Sequence, residues 1–67
     1  MFDGVLLKEK IEEKGMGIKE LSCIMGINKA TLYRKVNGDT EFTRGEIYNI
    51  ILILDLSDCE VKEIFFS

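Results

Sequence analysis

The sequence predicts an all-α domain of five short helices, and three observations predict it. Proline is absent from all 67 residues, so no point in the chain forbids helix. Apolar side chains recur at helical spacing in successive short segments. Each segment is bracketed by residues that start helices and residues that stop them.

In the first segment Val5, Leu6, Leu7 and Ile11 mark an apolar face over residues 5–14, with charges on the remaining face. Asp3 is placed to cap its start, and Gly15 to end it in a left-handed turn. The second helix is expected over residues 18–25, with Gly17 as a permissive cap, Glu20 at its third position and Gly26 as its stop. Asn28 is a favoured N-cap for a third helix over residues 29–36, closed by Asn37 and Gly38. Ile27 and Leu32 flank that cap as a hydrophobic staple. Thr43 and Glu46 form a Thr-x-x-Glu capping box within the staple pair Phe42 and Ile47, which starts a fourth helix over residues 44–54. Ser57 and Glu60 repeat the device between Leu56 and Val61, giving a fifth helix over residues 58–65. The one long connection is residues 38–42. With no repeat, linker or low-complexity stretch, residues 1–67 read as a single domain.

Composition excludes several classes of function. Hydrophobic residues make up 46% and charged residues 31%, as in a folded domain and unlike a disordered tail. A chain this short buries only about 60% of its unfolded surface, which leaves little room for a substrate pocket beside a core. Histidine is absent, which removes the commonest general base and metal ligand. Cys23 and Cys59 are too isolated for a zinc site and read as buried thiols behaving as small hydrophobes, with a disulfide as the alternative. No glycine-rich phosphate loop is present, and the carboxylates fall on capping boxes and solvated faces. No enzyme activity, cofactor, metal or small-molecule substrate is expected. The longest apolar run, residues 50–54, cannot span a bilayer. No basic stretch leads into an apolar one at the N-terminus, so the chain reads as cytoplasmic. Met1 suggests a natural start, and the chain is expected to be either a stand-alone protein or a fragment.

The second and third helices carry the informative constellation. They are joined by a turn of a few residues centred on Gly26, where glycine accepts positive φ without steric cost. Ser22 is small at the point where the third helix must cross closely. Leu21, Met25, Ile27, Leu32 and Val36 supply apolar contacts between the pair and the rest of the domain. A short turn, a small crossing residue and this apolar pattern are the requirements of a helix-turn-helix.

The stretch IKELSCIMGINKATLYRKVNG, residues 18–38, resembles the phage repressor and Cro-like (XRE-type) helix-turn-helix family. Within it ATLYRKVNG, residues 30–38, is similar to prophage and mobile-element members from Gram-positive bacteria. The resemblance extends over nearly the whole chain and implies a lambda-repressor-like five-helix fold. It also implies a DNA-binding transcriptional regulator, a repressor of the Cro/C1 type, whose third helix enters the major groove. With Leu32 and Val36 facing inward, Ala30 and Arg34 point outward one turn apart. The family's base-reading positions fall on Lys29, Ala30 and Arg34. Arginine and lysine suit guanine O6 and N7, and alanine suits a thymine methyl. Asn28, Thr31, Tyr33 and the amides near Asn37 are candidates for backbone phosphates, as are Thr43 and Arg44 at the start of the fourth helix. Plainer roles stand beside these: Lys29 and Lys35 as solvated charges, Tyr33 as cover for apolar surface, Ala30 as a helix former. Relatives often carry an apolar residue at the position of Lys35, and here Val36 is expected to take that inward place.

The net charge of −3 is unusual for a protein that binds nucleic acid, but it is unevenly distributed. Residues 28–44 carry a net +2 and residues 45–67 a net −4, so the segment meant for DNA is the basic one. So few cations imply a small non-specific contribution, and hence two copies acting together on a double-stranded operator. The apolar run 50–54 and the trio Ile64, Phe65 and Phe66 offer a homodimer surface at the C-terminal helices. Their other reading is a full core with aromatic lids. The alternative to a regulator that binds DNA is a module that keeps the fold and engages another transcription factor.

Overall fold

Asp3 begins the fold. Its side-chain oxygen accepts from the Leu6 amide at 3.0 Å and opens α1 (Gly4–Glu13) in a computed structural model that describes residues 1–66. α1 starts and stops one residue earlier than its apolar pattern predicts. Gly4 is already helical behind the Asp3 cap, and Lys14 serves as C-cap before Gly15 turns left-handed at φ +73°. The remaining elements, α2 (Ile18–Met25), α3 (Lys29–Val36), α4 (Arg44–Leu54) and α5 (Asp58–Phe65), fall where their caps place them. Both capping boxes close in both directions. The Thr43 hydroxyl accepts from the Glu46 amide while the Glu46 carboxylate accepts from the Thr43 amide, and Ser57 and Glu60 do the same. Such caps are each worth about 1 kcal/mol, a large contribution for helices of eight to eleven residues.

Every helix sends apolar side chains to one core. Leu7, Ile11, Leu21, Leu32, Val36, Ile50, Leu54 and Ile64 are buried to 2% exposure or less, with Leu56 beside them. Burial of each contributes about 1.5–3 kcal/mol before entropy is counted. The core takes some of the C-terminal apolar residues and leaves others exposed. Ile50, Leu54 and Ile64 are core, and Ile51, Ile53 and Phe65 pack at its edge. Leu52 and Phe66 stay outside.

The first residues of the chain meet the end of α5. The Asp3 amide donates to the Ile64 carbonyl at 2.7 Å, and the rings of Phe2, Phe42 and Phe65 lie 5.5–5.9 Å apart. Gly4 lies against α3 so closely that a Cβ there would overlap the Val36 carbonyl oxygen. The N-terminus of α1 therefore rests directly on the C-terminal end of α3.

Two lysines reach across to the capping-box glutamates. Lys10 of α1 pairs with Glu60 at 2.8 Å, and Lys35 of α3 pairs with Glu46 at 3.0 Å. The Lys10 ammonium, and after it the Ser57 amide, hold the Glu60 carboxyl down to about 2. Partial burial raises the Glu46 pKa, but the Thr43 amide and the Lys35 ammonium outweigh it, leaving the group below its ordinary value.

The cysteine expectation is corrected. Cys23 and Cys59 are both exposed and both free. In α2 the helical phase that buries Leu21 also turns Ser22 inward, to 3% exposure, and so carries Cys23 to solvent. Cys59 lies in the first turn of α5, on the face opposite Ile64 and its core neighbours.

Candidate nucleic-acid interface

The interface is built on the α2–α3 corner. Gly26 ends α2 at φ 73°, ψ 27°, and the Ile27 amide returns to the Ser22 carbonyl at 3.0 Å, a Schellman-type closure. Ser22 is buried where α3 crosses, with its hydroxyl satisfied by the Lys19 carbonyl at 2.7 Å. Only residues 26–28 separate the two helices. Asn28 then starts α3, its side-chain oxygen accepting from the Ala30 amide at 2.8 Å. That oxygen is occupied, and the amide NH2 of Asn28 remains as a donor suited to phosphate.

α3 divides cleanly into two faces. Leu32 and Val36 are buried, whereas Lys29, Ala30, Tyr33, Arg34 and Asn37 are exposed and Thr31 is half-buried. The three proposed base-reading residues therefore lie on the solvent side of one helix. Arg34 and Lys29 make no ion pair among the described residues, so their charges stay available. Arg44, the first residue of α4, is likewise exposed and unpaired. At the α4 start the Thr43 amide is committed to Glu46, and the Thr43 oxygen accepts from the Glu46 amide. What Thr43 still offers is its hydroxyl proton, beside the backbone amides of Arg44 and Gly45.

Two features escape the sequence reading, and a third was legible in it. Lys35 is not a solvated charge. Its side chain is 12% exposed, bonded to Glu46 and to the Glu41 carbonyl at 3.0 Å, with its ammonium 6.0 Å from the centre of the Phe42 ring. Val36 does take the inward position, and Lys35 lies at the edge of the core beside it. Lys8 of α1 holds its ammonium 5.6 Å from the centre of the Tyr33 ring, adding a cation at the flank of the α3 face. No local signal links residues 25 positions apart on different helices. The third feature was visible: Gly17 caps α2 without a side-chain acceptor, so the first-turn amides of α2 are left without a side-chain partner beside Lys19.

The charge is unevenly distributed, a net +2 over residues 28–44 against a net −4 over residues 45–67. Among the described residues no helix is long and apolar enough to cross a membrane, and no cluster of side chains could hold a metal ion. Comparison with curated proteins and with solved structures returned no match. The family model for the Cro/C1-type helix-turn-helix DNA-binding domain matches residues 7–65, from the first core leucine of α1 to the end of α5. The chain, a DNA-binding regulator by this kinship, belongs to the Cro/C1-type helix-turn-helix family.

Proposed function

We propose that the protein is a sequence-specific transcriptional repressor of prophage or mobile-element type that reads the major groove with α3. The observation that carries this is the outer face of α3, with Arg34 and Lys29 exposed and unpaired around Ala30, while Leu32 and Val36 anchor the helix from behind. Lys29, Ala30 and Arg34 contact bases. Asn28, Thr31, Tyr33 and Asn37 lie along the backbone on either side, and Thr43 with Arg44 grips a phosphate at the α4 start.

Two copies act together through the C-terminal helices. Tyr48 and Leu52 lie four residues apart on α4 and are each 63% exposed, and Phe66 beyond α5 is 67% exposed. Tyr48 and Phe66, with Ile47 and Ile51, line an apolar groove that reaches Arg44, and Leu52 extends the exposed apolar face of α4 beside it. A dimer that reads two successive turns of a duplex needs its two α3 helices on one side of it, about 34 Å apart.

Selection of bound sequences from random duplexes at low salt tests the reading. Enrichment of a site by the wild type is expected, with Arg34→Ala costing about 1–3 kcal/mol on that site and relaxing preference at one base pair. Failure of the wild type to enrich any sequence would favour the competing role, engagement of another transcription factor.

A further inference from the structure

Lys35 lies on the same helix as the residues assigned to DNA, yet it is withheld from solvent. α3 packs mainly on α2 and α1 and less on α4, and residues 37–43 between α3 and α4 form no helix or strand. Among the described residues the Lys35–Glu46 contact is the one ion pair or hydrogen bond between these two helices. Glu46 Oε1 receives the Lys35 ammonium at 3.0 Å and the Thr43 amide at 2.8 Å. A single oxygen thus fixes the last turn of α3 against the first turn of α4.

We propose that Lys35 is a positioning residue for DNA recognition. Acting through Glu46, it sets the distance and angle between the outer face of α3 and the N-terminus of α4. Arg34 and the Arg44 end of α4 then meet base edge and phosphate in one docking pose. The proposal rests on the reading above that α3 enters the groove. It goes beyond that reading because Lys35 itself touches no DNA. The fold supplies its own control, since Lys10 makes the same kind of bridge to the other capping-box glutamate, Glu60, between α1 and α5.

The full chain is compared as wild type, Lys35→Met, Lys35→Arg, Glu46→Gln, the Lys35→Met/Glu46→Gln double variant and Lys10→Met, on the duplex the wild type selects. Lys35→Met is expected to bind about tenfold more weakly. Its dependence of log K on log salt should be shallower by about one, as one phosphate contact is lost. Glu46→Gln keeps an acceptor for the Thr43 amide and should weaken binding in the same direction. The double variant should be no worse than Lys35→Met alone, and Lys35→Arg should recover part of the loss. Lys10→Met should lower thermal stability and leave affinity unchanged. Wild-type affinity in Lys35→Met, or an equal loss in Lys10→Met, would overturn the positioning role. Should Lys35→Met not fold, unaltered binding by Glu46→Gln would overturn it equally. A wild type that selects no duplex overturns the DNA-binding reading and this role with it, which separates the two failures.

Discussion

Replacing Gly4 by alanine reverses the usual sign of a glycine substitution in a helix. In an unobstructed helix interior alanine is favoured over glycine by about 0.5–1 kcal/mol, because glycine loses more backbone freedom on folding. At Gly4 the added methyl would overlap the Val36 carbonyl oxygen, with the Phe2 ring 3.3 Å away on another side. The ring can rotate, but the carbonyl belongs to the last turn of α3 and cannot move without shifting that helix. Overpacking of this kind costs about 1–3 kcal/mol, which exceeds the propensity gain. In a domain of this size each kcal/mol lowers the melting temperature by about 4–8 °C. Gly45 is the matched control: it lies in the first turn of α4 and a Cβ there meets nothing within 4 Å. Urea titrations followed by helical circular dichroism should show Gly4→Ala destabilised by about 1–3 kcal/mol and Gly45→Ala neutral or slightly stabilised. Equal effects in the two variants, or a gain at Gly4, would refute the claim that α1 rests on the α3 backbone.

Asn28→Ala removes the acceptor of the Ala30 amide and should cost about 1 kcal/mol by the same titration, whereas Asn28→Gly should cost only a few tenths. Glu60 links stability to acid. Its folded-state pKa of about 2 lies below the ordinary 4.5, so its contribution is complete above pH 4.5 and is lost as pH falls towards 2. Glu60→Gln should therefore flatten the stability profile over that window, and an unchanged acid slope would rule out the Lys10–Glu60 bridge as its source. Leu52→Glu alters a residue 63% exposed and should leave folding stability within about 0.5 kcal/mol while abolishing dimers in sedimentation. Dimers that survive the substitution would place the self-association surface elsewhere.

The helices were legible because the signals that start and stop them are local. Asn28 bonds two residues onward, and Thr43 and Ser57 bond three, so a reader of the chain sees both partners at once. Gly26 and Gly38 mark left-handed turns that other residues enter only at a cost. The outward face of α3 followed from the inward direction of Leu32 and Val36. What was not legible depends on helix phase or on distance along the chain. Ser22 was placed at the crossing, but Cys23 was expected to be buried too, and the one inward phase of α2 that takes Leu21 and Ser22 leaves Cys23 outside. Lys35 reads as one more surface cation until α4 brings Glu46 beside it, and Lys8 until α1 brings it over Tyr33. Phe2 carries no periodic signal at all. It becomes part of the aromatic cluster because the Asp3 amide ties the first residues to the end of α5.

The seat of Lys35 also limits how this scaffold could be given a new target sequence. Side chains at 29, 30 and 34 project to solvent and can be exchanged with little regard for the interior. Position 35 cannot, because its ammonium is spoken for by a carboxylate on another helix. On the proposed reading, replacing the whole of α3 by a helix with an apolar residue at 35 would keep the base-reading side chains and lose the contact that orients them. Retargeting should vary the three outward positions one by one and leave the fourth as a fixed hinge pin.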